Sequence, residues 1–100
     1  MSYIDYLEDK AFKSVEEIIS QFIVKIGDQK IKIRITKDAH GYFHFVTSHY
    51  YQGSEQEGPF ISSIANFPSE IEAITGARRQ IVSFYEPEDK NAVWIENESF

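Results

Sequence analysis

The sequence predicts a single α+β domain over residues 1–100: an antiparallel β-meander of three to five strands, with an N-terminal helical segment and a C-terminal helix packed on one face. Three observations predict it. The length of 100 residues suits one domain. The apolar spacing changes along the chain, from three-and-four near the N-terminus, to alternation around Phe22–Ile35, and back to three-and-four from Ile71. Glycine-containing turn sequences, Gly27-Asp28 and Asp38-Ala39-His40-Gly41, fall where the alternating stretches meet.

The elements follow in order. Ile4, Leu7, Ala11, Val15, Ile18, Ile19 and Phe22 carry the helical spacing, and Ser14 with Glu17 fits a capping box, so one long helix or two short ones with a break near Lys13 is expected. Phe22, Val24 and Ile26 then lead through Gly27-Asp28 into Ile31, Ile33 and Ile35, a hairpin with its isoleucines buried and Lys30, Lys32 and Arg34 exposed. Tyr42–Tyr51 reads as one long strand. Gln52–Pro59 reads as an acidic loop, and Phe60–Ala65 as either a strand or an irregular return. Ser69 and Glu72 cap a helix whose stripe is Ile71, Ile74, Ala77, Ile81 and Tyr85, with Pro87 as its stop. Gly76 sits inside it at a cost of about 1 kcal/mol relative to alanine, which suits close packing on the sheet. Val93–Ile95 is the last strand.

Composition excludes several classes of function. There is no cysteine, so disulfides, thiolate nucleophiles and Cys-based zinc sites are ruled out, and a reducing, cytoplasmic setting is expected. Met1–Lys10 carries Asp5, Glu8 and Asp9 and reads as neither a signal peptide nor a membrane span. The net charge of −6 is uneven: Lys25–Lys37 holds five basic residues and one acid, net +4, against −10 for the remainder. That total disfavours general DNA binding, which depends on cationic contacts to phosphate.

No catalytic, metal or cofactor site emerges from the residues. His40, His44 and His49 are spaced so that, on one strand, His44 and His49 point to opposite faces. Ser48 and His49 are adjacent and would diverge on a strand, and no Gly-x-Ser-x-Gly elbow or phosphate loop occurs. Gly41–Val46 departs from the aromatic strand motif of RNA-recognition modules, with Phe43 where a small residue belongs and His40 where a basic residue precedes the glycine. That departure and the acidic surroundings argue against RNA stacking. Lys30, Lys32 and Arg34 form the candidate binding face, with Tyr50 as a further candidate.

From Lys30 to Glu86 the chain resembles the HicB-like antitoxin domain, on Asp38, Gly41, Tyr42 and Phe43 in a strand-turn-strand unit and Glu72, Ala73, Ile74, Ala77, Ile81 and Tyr85 in the following helix. The resemblance implies a degenerate RNase H-like fold that neutralises a toxin by contact. The expected function is a small non-enzymatic interaction module for a protein partner or a second copy, acting through a sheet edge or the basic hairpin. Two alternatives are a ligand-binding domain or enzyme with a pocket near Tyr50 and His44, and an acidic inhibitor that mimics nucleic acid.

Overall fold

Alternation around Gly27 becomes a hairpin of two long strands in the computed structural model, which describes residues 3–100. Strand β1 (Glu16–Ile26) pairs antiparallel with β2 (Gln29–Asp38), joined by a two-residue turn in which Gly27 takes φ +56°. A side chain at that angle would be strained, which is why glycine stands there. β2 pairs antiparallel with β3 (Phe43–Thr47) to complete a sheet of order β1-β2-β3. Ile31, Ile33 and Ile35 are buried on its inner face, as the alternation requires.

The N-terminal helix expected from the apolar spacing is absent from the described residues, and two features replace it. Ile4–Leu7 forms one 3₁₀ turn, and the chain is already in β1 by Glu16, so Ser14 and Glu17 cap nothing. β-Branched residues at Ile18, Ile19, Ile23 and Val24 favour extended backbone, and β2 supplies a hydrogen-bonding partner along the full length. Within β1 a bulge accounts for the three-residue step from Ile19 to Phe22. Between Ile18 and Ser20 the register slips by one residue, so Ile19 and Val24, of opposite parity, both pack against the core. Met1 and Ser2, at the head of the segment read for a leader, lie outside the described residues.

The long strand expected from Tyr42 to Tyr51 is broken at Ser48. β4 (His49–Gln52) leaves the first sheet and pairs instead with β5 (Val93–Glu96). Polar side chains hold the break. The Ser48 N–H donates to the Lys32 carbonyl at 2.9 Å, and the Lys32 N–H donates to Ser48 Oγ at 2.8 Å. Asn97 donates from its backbone to the Ser48 carbonyl at 2.8 Å and from Nδ2 to the Thr47 carbonyl at 2.9 Å. Helix α1 (Glu70–Val82) contributes Gln80, whose Nε2 donates to the buried Thr47 hydroxyl at 2.8 Å. Beyond the break Trp94 packs edge-on against Tyr51, centroids 5.1 Å apart, and stacks with Tyr85 at 6.2 Å.

Phe60–Ala65 is the irregular return. Order resumes at Phe67, whose backbone exchanges hydrogen bonds with Phe43 at 2.8 and 2.9 Å along the outer edge of β3. Ser69 caps α1 by accepting from the Glu72 N–H at 3.2 Å and donating its hydroxyl to Glu72 Oε2 at 2.8 Å. The buried face of α1 is Ala73, Ala77, Gln80 and Ile81. Ile71, expected in the stripe, is 76% exposed, and Tyr85 lies beyond the helix end. Small residues make up the contact face because the helix sits close to the sheet. A Cβ at Gly76 would lie 2.6 Å from the Phe67 ring and 3.1 Å from Phe45. The helix packs chiefly on β3 and leaves the inner face of β1 open as an apolar groove of about 420 Å³.

Gly76→Ala separates helix propensity from packing. Alanine favours the helix by about 1 kcal/mol, yet the ring contacts at Phe67 and Phe45 must open to admit the methyl group. A net loss of about 1–3 kcal/mol is expected in urea unfolding, as for overpacked sites; a stabilised variant would refute this packing.

Candidate functional site

Strand alternation projects Lys30 and Lys32 outward from the first sheet, and both are exposed. Turn register adds Lys25, placed directly opposite Lys30 across the hairpin. Like charges facing each other across strands are destabilising. Among the described residues no ion pair involves Lys25, Lys30 or Lys32. The cluster at this end of the sheet therefore keeps its field uncompensated by close contacts.

Arg34, expected to be exposed with the two lysines, is half-buried and engaged. Its Nε donates to Gln21 Oε1 at 3.1 Å, and its Nη1 donates to the Phe100 carbonyl at 3.3 Å. The guanidinium carbon also stands 4.2 Å from the centroid of the Phe100 ring, a cation–π geometry. The C-terminal segment thus lies across Arg34. A shallow cleft of about 320 Å³ remains beside it, lined by Lys30, Lys32, Ser48, His49, Glu96 and Glu98 among others.

Tyr50 does not join the basic face. It stands on β4, where the break at Ser48 turns it toward the irregular return. With His44 it lines a separate cleft of about 240 Å³ that none of Lys30, Lys32 or Arg34 reaches. The side chains of His44 and Gln80 in this cleft are already engaged. His44 Nε2 lies 2.7 Å from Asp38 Oδ2, and His44 Nδ1 lies 2.7 Å from the Ala65 carbonyl. Gln80 bonds Thr47 on one side and accepts from the Ser62 N–H on the other, at 2.8 Å.

Ser48 and His49, expected to diverge, come together because the chain bends between them. Ser48 Oγ lies 2.9 Å from His49 Nδ1. Gln29 decides the direction of that bond. Its Nε2 donates to the Lys30 carbonyl at 2.8 Å, which fixes the amide orientation, and lies 3.3 Å from His49 Nε2. An amide nitrogen only donates, so His49 Nε2 accepts and, in the neutral ring, Nδ1 carries the proton and donates it to Ser48. A base that activates a serine must instead accept its proton. Ser48 Oγ also receives the Lys32 N–H, so this hydroxyl anchors the strand break.

His49 stands apart from the other two histidines, bound to Ser48 and Gln29. His44 and His40 line one cleft at the turn, where the His44 ring is bound to Asp38 Oδ2 and the His40 backbone N–H donates to Asp38 Oδ1 at 2.8 Å. Among the described residues no group of three His, Asp or Glu side chains is arranged to hold a metal. Among those residues, too, no helix is long and apolar enough to cross a membrane. No protein-family model, curated protein or solved structure matches the chain.

Asp38 and His44 shift each other's titration. The His44 hydrogen bond, with the Tyr42 and His40 N–H groups, holds the Asp38 carboxyl below its ordinary range against a smaller desolvation penalty. Burial opposes charge on His44, but Asp38 and the Ala65 carbonyl together outweigh it and raise its pKa. The His44 contribution is complete below the ordinary histidine value and is lost as pH rises through the raised value. The Asp38 contribution is present above the ordinary carboxylate value and is lost as pH falls through the lowered one. The pair is thus strongest between about pH 4 and about pH 6.5. In His44→Gln the melting-temperature deficit relative to the parent should be largest in that window and shrink toward about pH 8.5; a deficit independent of pH would contradict the charged pair.

Proposed function

We propose that this chain is a small non-enzymatic interaction module that docks an acidic surface of a protein partner on its basic hairpin. The observation that carries the reading is Lys25 directly opposite Lys30, beside Lys32, with no ion pair to any of the three among the described residues. A like-charge cross-strand pair costs stability in the isolated chain, and an acidic partner relieves that cost. Opposite charge also steers encounter and makes it salt-dependent, against the background of a chain at −6 overall. The engaged ring nitrogens of His44 and His49, and the direction of the Ser48–His49 bond, favour a binding role over a catalytic one. The HicB-like resemblance points to the same class of function, contact with a protein partner, which in that family is a toxin. A cytoplasmic setting accords with a chain that has no cysteine.

Charge reversal at Lys30 and Lys32 tests the proposal, with Arg34 left intact because it holds Phe100. Both lysines are exposed, so Lys30→Glu/Lys32→Glu should change folding stability by no more than about 0.5 kcal/mol. The native complex is purified with the parent and with the variant. The parent should retain its partner at low salt and release it at about 0.5 M salt, where screening is nearly complete, and the variant should retain none. A partner held equally by both chains at low salt would place the binding surface elsewhere.

A further inference from the structure

β1 is the outermost strand of its sheet, and no strand among the described residues pairs with its far side. Edges of this kind are usually blunted by shortness, by proline, by charge or by a bulge, and of these β1 has Lys25 near its end and the bulge between Ile18 and Ser20. β1 spans 11 residues with no proline, and it carries two exposed isoleucines on its outer face, Ile18 at 62% and Ile23 at 64%. The opposite edge of the sheet is partly occupied, since Phe67 bridges to Phe43. Among the described residues one long edge therefore carries no paired strand.

The outer face of β1 has a self-complementary order. Glu16, Ile18, Gln21, Ile23 and Lys25 pair with Asp38, Thr36, Arg34, Lys32 and Lys30 of β2, so all five lie on the same side of the sheet. The bulge at Ile19 restores this face across the slip in parity. Acid stands at one end, base at the other, isoleucine one step in from each, and glutamine at the centre.

We propose that β1 pairs edge to edge with β1 of a second copy, antiparallel about a two-fold axis through Gln21. In that register Glu16 faces the second copy's Lys25, Ile18 faces the second copy's Ile23, and Gln21 faces its own symmetry mate. Each contact occurs twice, as an isologous interface requires. The bulge fits the same register: Ile19 and Ser20 together oppose the second copy's Phe22, the two-against-one count that a bulge makes with any neighbour. Parallel self-pairing in register would instead set Glu16 against Glu16 and Lys25 against Lys25. The pairing joins the two sheets into one, continues the apolar groove beside Phe22 and Val24 into the interface, and consumes the open edge. It ends at two copies, without fibre growth.

Sedimentation equilibrium on the full chain, from about 1 to about 300 µM, a range that spans weak and moderate self-affinity, tests the proposal. A monomer–dimer equilibrium is expected for the parent. Ile23→Lys, at an exposed position, should abolish the dimer with its circular dichroism unchanged. Glu16→Lys and Lys25→Glu should each weaken dimerisation by about tenfold, because each turns two attractions into two repulsions. The double exchange Glu16→Lys/Lys25→Glu should restore affinity to within about threefold of the parent, a rescue that only pairing of β1 with its own copy provides. The Lys30→Glu/Lys32→Glu chain should still dimerise, which distinguishes this contact from docking on Lys30 and Lys32, Lys25 being common to both. A parent that stays monomeric throughout, a dimer indifferent to Ile23→Lys, or a double exchange no tighter than the single changes would each overturn the proposal.

Discussion

The junction at Thr47 and Ser48 holds the parts of this fold together. A strand that continued straight past Thr47 would carry Tyr50 and Tyr51 along the first sheet and leave β5 unpaired. Instead the chain turns, and every polar group exposed by the turn finds a partner from a different part of the molecule: Lys32 of β2, Gln80 of α1 and Asn97 after β5. Thr47 and Ser48 are buried, and among the described residues no buried polar side-chain atom is left without a partner. A buried polar group without a hydrogen bond costs about 1–3 kcal/mol, so displacing any one of the three elements leaves a costly unpaired group at the junction. The helix position, the second sheet and the cleft at Tyr50 all follow from that agreement.

Features decided by near neighbours were legible in the sequence. The isoleucine alternation in β2, the Gly27-Asp28 turn and the Ser69 cap each depend on residues a few positions apart, and each stands where the sequence places it. The N-terminal helix was misread because a bulge gives extended backbone an apolar spacing that resembles a helical one, with Ile19 and Val24 on one face. The density of β-branched residues from Ile18 to Val24 was the better signal. The break at Ser48 was hard to read locally, since beside the bond of its hydroxyl to the neighbouring His49 its partners are the distant Lys32 and Asn97. Ile71 was misassigned because large apolar residues were weighed above small ones, whereas Gly76 and the two alanines set the contact distance.

The candidate site was half legible for the same reason. Alternation alone places Lys30 and Lys32 on the wet face, and the turn then brings Lys25 opposite Lys30. The engagement of Arg34 with Phe100 joins positions far apart in the chain, and nothing near Arg34 in sequence announces it. Tyr50, a further binding candidate and the partner of His44 in the pocket alternative, lines a cleft with His44 away from the basic face. The two clefts share no lining residue, although the residues on either side of the bend divide between them: Thr47 and Tyr50 in one, Ser48 and His49 in the other.

The two sheets differ in what could report on them. The chain has one tryptophan, Trp94, and it stands on β5 against Tyr51 and Tyr85 and packs against the core that the hairpin isoleucines line. Its emission therefore reports on the docking of the two-stranded ribbon against that core, while far-ultraviolet dichroism is weighted toward the longer strands and α1. Nature has in effect placed a single optical label on the smaller sheet. Coincident transitions by the two signals would mean that the Ser48 junction makes one cooperative unit of both sheets, and an earlier change in fluorescence would identify the ribbon as the part that loosens first.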